Sequence, residues 1–451
     1  MVTPIEKTAV STAILKPVKP QSGGWGPTLF FFAIICIEYL GLGYLVPLIQ
    51  TLHLPLILAV SLFLYMVFRQ GVSAIVSRPQ TKLFLLFIVM TFLSLSYVYV
   101  KTYAFNSLMG QIGYVILFAI GVFVLDRQSK INYFVALFAA IHVVLVLINM
   151  DVLTSNQRTG TFLAGYFLGD GNDFAWSLTI AIPMSFYMVI ISKRAILKIV
   201  WIISCALLIF GVVGTASRGA TLGMAASMLF LVIMSRRRAI PIFAMLVVAV
   251  GLVIYAPSQY FERLETIQRY TEDSSASGRI MAWKAATKMA IDHPLGVGAG
   301  NFNSAYGRYY RAPDAQSMRW ISVHSIYFSA LGEYGVIGLI TILSILFLNY
   351  RDNIRSSHRN VSVSNPVKDA CAWPLYLNMA VIAYAVCGIF LGGVGYPHLY
   401  ILSALTVATR VLSEDLDGSP SPVVRQRRAP GRDSTSTTPG VSIRCWTPVP
   451  R

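Results

Sequence analysis

About twelve apolar blocks, each near 20 residues long, alternate with short polar or basic connections along this 451-residue chain. A block of that length matches the hydrocarbon thickness of a bilayer, and in lipid a helix satisfies its backbone polar groups within one segment. The chain therefore reads as all-α and polytopic, with spans near 28–50, 54–68, 83–100, 110–125, 131–149, 173–192, 198–214, 219–234, 240–256, 325–349, 373–394 and 397–412. Charged residues make up 12% of the chain and hydrophobic residues 56%. A soluble domain carries about 25% charged residues, so too little polar surface remains to cover a water-soluble fold of this length.

The formal net charge of +17 could point to nucleic acid, but the positions of the basic residues argue for lipid. They flank the apolar blocks in short clusters, such as Lys193, Arg194 and Lys198, or Arg236, Arg237 and Arg238. Clusters of that kind are topology signals facing anionic lipid, and no basic, aromatic-interleaved soluble domain is present for nucleic acid. With the N-terminus in the cytoplasm, Arg69, Arg78, Lys82, Arg127, Lys130, the two clusters above, Arg351, Arg355, Arg359 and Lys368 all fall inside. The short outer connections hold only Lys101, Arg158 and Arg218.

That alternation divides the chain into a cytoplasmic N-terminal tail (1–27), nine spans (28–256), one large extracytoplasmic loop (257–324), three further spans (325–412) and a tail (413–451) rich in Ser, Thr, Pro and Arg that reads as disordered and cytoplasmic. The five cysteines are Cys36, Cys205, Cys371, Cys387 and Cys445. None lies in the loop and none has metal-ligand spacing, which argues against a disulfide framework or a zinc site. The N-terminal lysines precede no short apolar core with a small-residue cleavage site, so the first span reads as retained.

The loop carries the unusual residues. After a polar stretch, an amphipathic helix is predicted from about Arg279 to Ile291, with Ser277 as its cap and Trp283, Ala286, Ala290 and Ile291 near one face. Such a helix suits the outer membrane interface. The run HPLGVGAGNFNSAY (293–306) follows. Its alternating glycines read either as a tight turn returning the chain to the bilayer or as backbone amides cradling a phosphate; the strand–loop–helix context and the lysine of a P-loop are missing. The loop ends with Arg308, Arg311, Arg319, Trp320 and His324 at the mouth of the tenth span. Arg218 sits at the outer mouth of the eighth. An Arg there is commonly a snorkelling anchor, and a lone His is commonly a hydrogen-bonding cap, but Arg218, Arg279 and His324 all fall on one predicted side. Asp170 and Asp173 share that side, as helix caps, acceptor contacts or a cation site.

These segments resemble the O-antigen ligase/polymerase family. His324-Ser325, nine residues, Gly335, two residues and Gly338 match that family's His-(Asn/Ser/Gln)-x9-Gly-x-x-Gly pattern. SRGA (217–220), GRIMAWKAA followed by HPLGVGAGNF (278–302) and, more loosely, GDGNDFAWSLTIAIP (169–183) look like its shared blocks. The resemblance covers about residues 160–350 and implies a type C glycosyltransferase-like membrane fold in a bacterial plasma membrane, its site facing the periplasm. It implies transfer of a glycan from an undecaprenyl-pyrophosphate donor to a hydroxyl of a lipid A core, a growing polysaccharide or a protein, inverting and independent of metal or other cofactor.

Breaking a sugar–pyrophosphate bond builds negative charge on the leaving group, which fixed cations stabilise in a partly water-excluded site. The guanidinium fork matches phosphate oxygens and stays charged. The resemblance thus implies that Arg218 and Arg279 bind the pyrophosphate, with Arg319, Asn301 and Asp173 as further substrate contacts. His324, with an unperturbed pKa of about 6.5, then orients or deprotonates the acceptor. Within the family, ligase and polymerase share this donor chemistry. A flippase or secondary transporter is the rival from another class; it expects its unusual residues at the membrane midplane, on related repeats.

Overall fold

The computed structural model describes residues 24–71, 76–154, 162–163, 166–234, 238–239, 242, 245–246, 274–311, 320–357, 360–362, 365–416 and 442–444. Helices dominate: α1 (Trp25–Tyr39), α2 (Leu54–Gln70), α3 (Pro79–Ser94), α4 (Lys101–Val124), α5 (Gln128–Ile148), α6 (Gly171–Ile191), α7 (Ala195–Gly214), α8 (Arg218–Met234), α9 (Ser274–Asp292), α10 (Ile326–Ser357), α11 (Asn365–Cys387) and α12 (Pro397–Leu416). Two three-residue strands, Asn360–Ser362 and Ser442–Arg444, pair antiparallel. Among the described residues five helices, α4, α5, α6, α7 and α10, are long and apolar enough to cross a bilayer by themselves, and five shorter apolar helices accompany them. The chain is an all-α polytopic membrane protein.

Helix order follows the apolar blocks, with four corrections. The first block, 28–50, is not one helix. It breaks after Tyr39, where Gly41 takes a left-handed conformation (φ 63°), and continues as two single turns, Leu42–Leu45 and Pro47–Thr51. The third block ends at Ser94 rather than near 100, and the fourth begins at Lys101, which makes it 24 residues long. In the loop, α9 starts at Ser274, so Ser277 lies inside it rather than capping it. Its buried face is Ala282, Ala285, Ala286 and Met289, while Ile291 is exposed. That i, i+3, i+4, i+7 stripe packs α9 onto α10 and not flat along a lipid surface. Most of the ninth block (240–256), the polar start of the loop (257–273) and most of the C-terminal tail lie outside the described residues.

Helix α6 forms the centre of the bundle. Every residue from Phe174 to Ser185 is buried, the pattern of a helix with neighbours on all sides. Neighbours approach closely where side chains are small. A Cβ on Gly223 of α8 would lie 2.2 Å from the Cys387 sulfur on α11, and one on Gly219, a turn earlier, 3.1 Å from the Phe390 Cβ. Small residues four apart allow this approach between membrane helices.

The two ends of the bundle differ. At the end holding the C-termini of α10 and α12, Arg78 pairs with Glu414 (3.2 Å), Arg410 with Glu414 (2.7 Å), and Arg351 with Asp352 (2.9 Å). Asp352 also accepts from Gln80 at 3.0 Å. Asp352 is 26 residues from the start of α10, on the order of 39 Å along a helix. The opposite end carries the turns between α3 and α4, α5 and α6, α7 and α8, and α11 and α12, together with α9. Of the candidate residues, Asp173 and Arg218 sit in the first turns of α6 and α8 and Arg279 on α9, while Asn301 and His324 lie between α9 and α10.

Candidate active site

The turn joining α11 to α12, Gly388–Tyr396, is the hub of this end. The backbone N–H of Ile326, at the start of α10, donates to the Gly388 carbonyl at 2.9 Å, and the Ser325 hydroxyl donates to the same oxygen at 3.3 Å. These bonds fix the two residues that follow His324. Gly219 of α8, beside Arg218, packs on Phe390 and Leu391. The Phe390 ring lies 6.1 Å from that of Trp283, one turn along α9 from Arg279. Trp283 stacks on Phe328 of α10 at 4.9 Å with planes 8° apart, and its indole N–H donates to the Val323 carbonyl at 3.1 Å. The segments bearing Arg218, Arg279 and His324 are therefore knit through one contiguous set of contacts.

Each residue has a local reason for its pose. Arg218 is the first residue of α8, after Ala216 in a left-handed conformation (φ 50°). Ser217 is buried and donates to Asn172 at 2.9 Å, which joins the start of α8 to the start of α6. Arg279 lies half-buried in the second turn of α9, its Nε shielded from solvent. His324 is exposed and has φ 43°, a conformation uncommon for a residue with a Cβ and one that clusters at functional sites.

Two predicted substrate contacts are engaged within the chain. The Asn301 amide is fully buried: its oxygen accepts from the Val100 N–H at 2.8 Å, and its nitrogen donates to the carbonyls of Val100 (3.2 Å) and Ala299 (2.8 Å). This makes Asn301 a pin between the loop and the α3–α4 turn. Asp173 accepts from the Tyr396 hydroxyl. Burial, then the Asp173 carboxylate, push the Tyr396 phenol well above its ordinary pKa, so it remains a donor. Asp170 caps α6 by accepting from the Asn172 N–H at 2.7 Å. Among the described residues no group of three or more His, Cys, Asp or Glu could hold a metal ion. Arg319 lies outside the described residues.

The alternating glycines of the loop form a turn and not a phosphate cradle. Gly296, Gly298 and Gly300 have φ of 79°, 92° and 66°, a region glycine enters without strain. Their amides are all engaged. Gly296 N–H donates to His293, Val297 N–H to Gly332 and Gly298 N–H to Glu333, each at 2.7–3.0 Å. Ala299 N–H meets the Ser94 hydroxyl at 3.4 Å, and the N–H groups of Gly300 and Phe302 serve the Glu333 carboxylate. Helix α10 opens to receive this turn: Gly335 leaves helical geometry (φ 66°, ψ −164°), and a Cβ there would lie 2.0 Å from the Pro294 carbonyl. A Cβ on Gly338 would sit 2.3 Å from that of Tyr334. The spaced glycines after His324 are thus steric requirements of the break.

Sequence reasoning passed over the Gly388–Tyr396 turn and the Trp283 hydrogen bond. The turn had a visible signal, since GIFLGGVGYP (388–397) holds four glycines before a Tyr-Pro. A Cβ on Gly392 (φ 68°) would lie 2.1 Å from the Trp176 ring, so only glycine lets the turn seat on α6.

The fold is that of a polytopic helical membrane protein in which the three candidate segments meet at one end of the bundle. The family model described as O-antigen ligase matches residues 203–343. That segment, which holds Arg218, Arg279, Asn301, Arg319 and His324, is similar to the O-antigen ligase family. No curated protein matches the chain.

Proposed function

We propose that this protein transfers a glycan from an undecaprenyl-pyrophosphate carrier to an acceptor hydroxyl at the outer leaflet of a bacterial plasma membrane. The observation that supports this reading is the contact chain Gly219–Phe390–Trp283–Val323, which gathers the segments of Arg218, Arg279 and His324 at one end of the bundle. The opposite end carries Arg78, Lys130, Arg351, Arg355 and Arg410, and cation-rich ends face the cytoplasm; the knot then faces outside, where a translocated donor is presented.

In this reading the two guanidinium groups hold the pyrophosphate and stabilise the charge that grows as the sugar C1–O bond breaks. His324 takes the acceptor proton as its oxygen attacks C1 from the opposite face, so the anomeric centre inverts. Tyr396 and Asp173 brace the rim beside Arg218. The acceptor is the lipid A core in a ligase and a second lipid-linked glycan in a polymerase. Surface glycan from a strain lacking the gene separates these: unattached polymer marks the ligase, and absent polymer the polymerase.

The test uses purified full-length protein in nanodiscs with a lipid-pyrophosphate-linked glycan and acceptor. Arg279→Ala is expected to abolish transfer while the protein stays monodisperse, and His324→Ala to retain donor binding with turnover lost. Near-normal product from either variant refutes the role given to that residue, and from both, the reading itself.

A further inference from the structure

Beside the knot lies a group of exposed aromatic rings that the transfer chemistry does not use. Tyr99, in the turn between α3 and α4, and Tyr309, after α9, lie with ring centroids 5.0 Å apart, and they are 39% and 60% exposed. Trp320, 57% exposed, lies flat on Gly307, where a Cβ would come within 2.6–2.8 Å of three indole carbons. Gly307 thus seats one face of the indole and leaves the rest of the ring open. Asn303 and Ser322 flank this group and hydrogen-bond to each other at 3.3 Å.

The segment that follows Trp320 connects these rings to His324. From 320 to 325 solvent exposure alternates: Trp320, Ser322 and His324 face out, while Ile321, Val323 and Ser325 turn inward. That period of two places Trp320 and Ser322 on the same side as His324. His324 is four positions along the chain from Trp320, at most about 14 Å.

We infer that Tyr99, Tyr309 and Trp320, with Asn303 and Ser322, form a binding platform for pyranose units of the glycan, leading to His324. A pyranose presents an apolar face of C–H bonds and an equatorial rim of hydroxyls. Open aromatic faces bounded by amide and hydroxyl groups complement both. A belt that merely anchors the protein in the headgroup region needs neither the hydrogen-bonding flank nor the alignment with His324. The inference rests on the glycan-transfer reading, and it assigns to that site a subsite for sugar units beyond the reacting one.

The test is saturation-transfer NMR on the full chain in nanodiscs, with maltohexaose, cellohexaose and a rhamnan hexasaccharide as probes. At least one probe is expected to receive saturation on its ring protons. Trp320→Ala and Tyr309→Ala are each expected to weaken its binding about threefold to tenfold, the range of an aromatic stacking contact, and Trp320→Tyr to restore most of it. As a check independent of variants, the bound hexasaccharide is expected to slow oxidation of Trp320 by N-bromosuccinimide in the wild-type protein, read by mass spectrometry. No saturation of any probe, or binding and oxidation indifferent to these residues, overturns the platform. Sugar binding that depends on these rings in a protein without transfer activity upholds the platform and removes the transferase reading, so the two fail separately.

Discussion

The indole N–H of Trp283 donates to the carbonyl of Val323 at 3.1 Å, which ties the helix of Arg279 to the residue before His324. The bond ties together two segments 45 positions apart in sequence (279 and 324), one bearing a guanidinium and the other an imidazole. Trp283→Phe keeps the stack on Phe328 but leaves the Val323 carbonyl without this donor. Its expected cost in stability is about 1 kcal/mol. In the proposed glycan transfer, a similar loss of transition-state alignment is expected to slow turnover roughly 5- to 10-fold. Steady-state assays should place the loss in kcat, with the apparent affinity for the lipid-linked donor unchanged.

Gly335 opens α10 for the loop, and no residue with a Cβ fits there. The left-handed φ of 66° and the 2.0 Å approach to the Pro294 carbonyl act together. Gly335→Ala is expected to yield aggregated protein in size-exclusion chromatography. Gly110→Ala is the contrast, in the middle of α4 with no neighbour near its Cβ. It should be tolerated and raise stability by up to about 1 kcal/mol.

Asn301 is expected to matter for folding of the loop before it matters for chemistry. Asn301→Ala removes the acceptor of the Val100 N–H and a donor to the Val100 carbonyl at a part-buried place, at about 1 kcal/mol for each bond lost. Limited proteolysis should cut the 293–302 segment faster in this variant than in wild type. Unchanged cleavage would count against its role as a pin.

A buried polar chain braces the bundle beneath the rim. His142 Nδ1 faces the Phe138 carbonyl at 2.7 Å and so carries the hydrogen. In the neutral ring Nε2 then accepts from Ser177, and the Ser177 oxygen accepts from His398 Nε2–H at 2.8 Å. Ser177→Ala strands both imidazole nitrogens, at about 1–3 kcal/mol each, and should lower Tm clearly in detergent. Ser204→Ala should leave Tm near the wild-type value, because the Ser204 hydroxyl bonds only to the Val200 carbonyl of its own helix.

Much of the helical order was legible because a bilayer imposes a length scale, and an apolar block of about 20 residues reports it directly. The break at Gly41, the true start of α4 at Lys101 and the buried face of α9 were less legible. Each depends on a neighbour: Ile291 looks like part of an apolar stripe until α10 takes Ala282, Ala285, Ala286 and Met289 instead.

The sequence by itself determined a membrane-spanning helical protein, the loop helix, and the residue types suited to a pyrophosphate, since guanidinium charge and imidazole basicity belong to the side chains alone. Only the tertiary structure decided that Asn301 and the loop amides serve the chain itself, and that Phe390 and Trp283 join the three candidate segments. Hydrogen-bond partners and steric contacts are pairwise facts between residues far apart in sequence, and no local pattern encodes them.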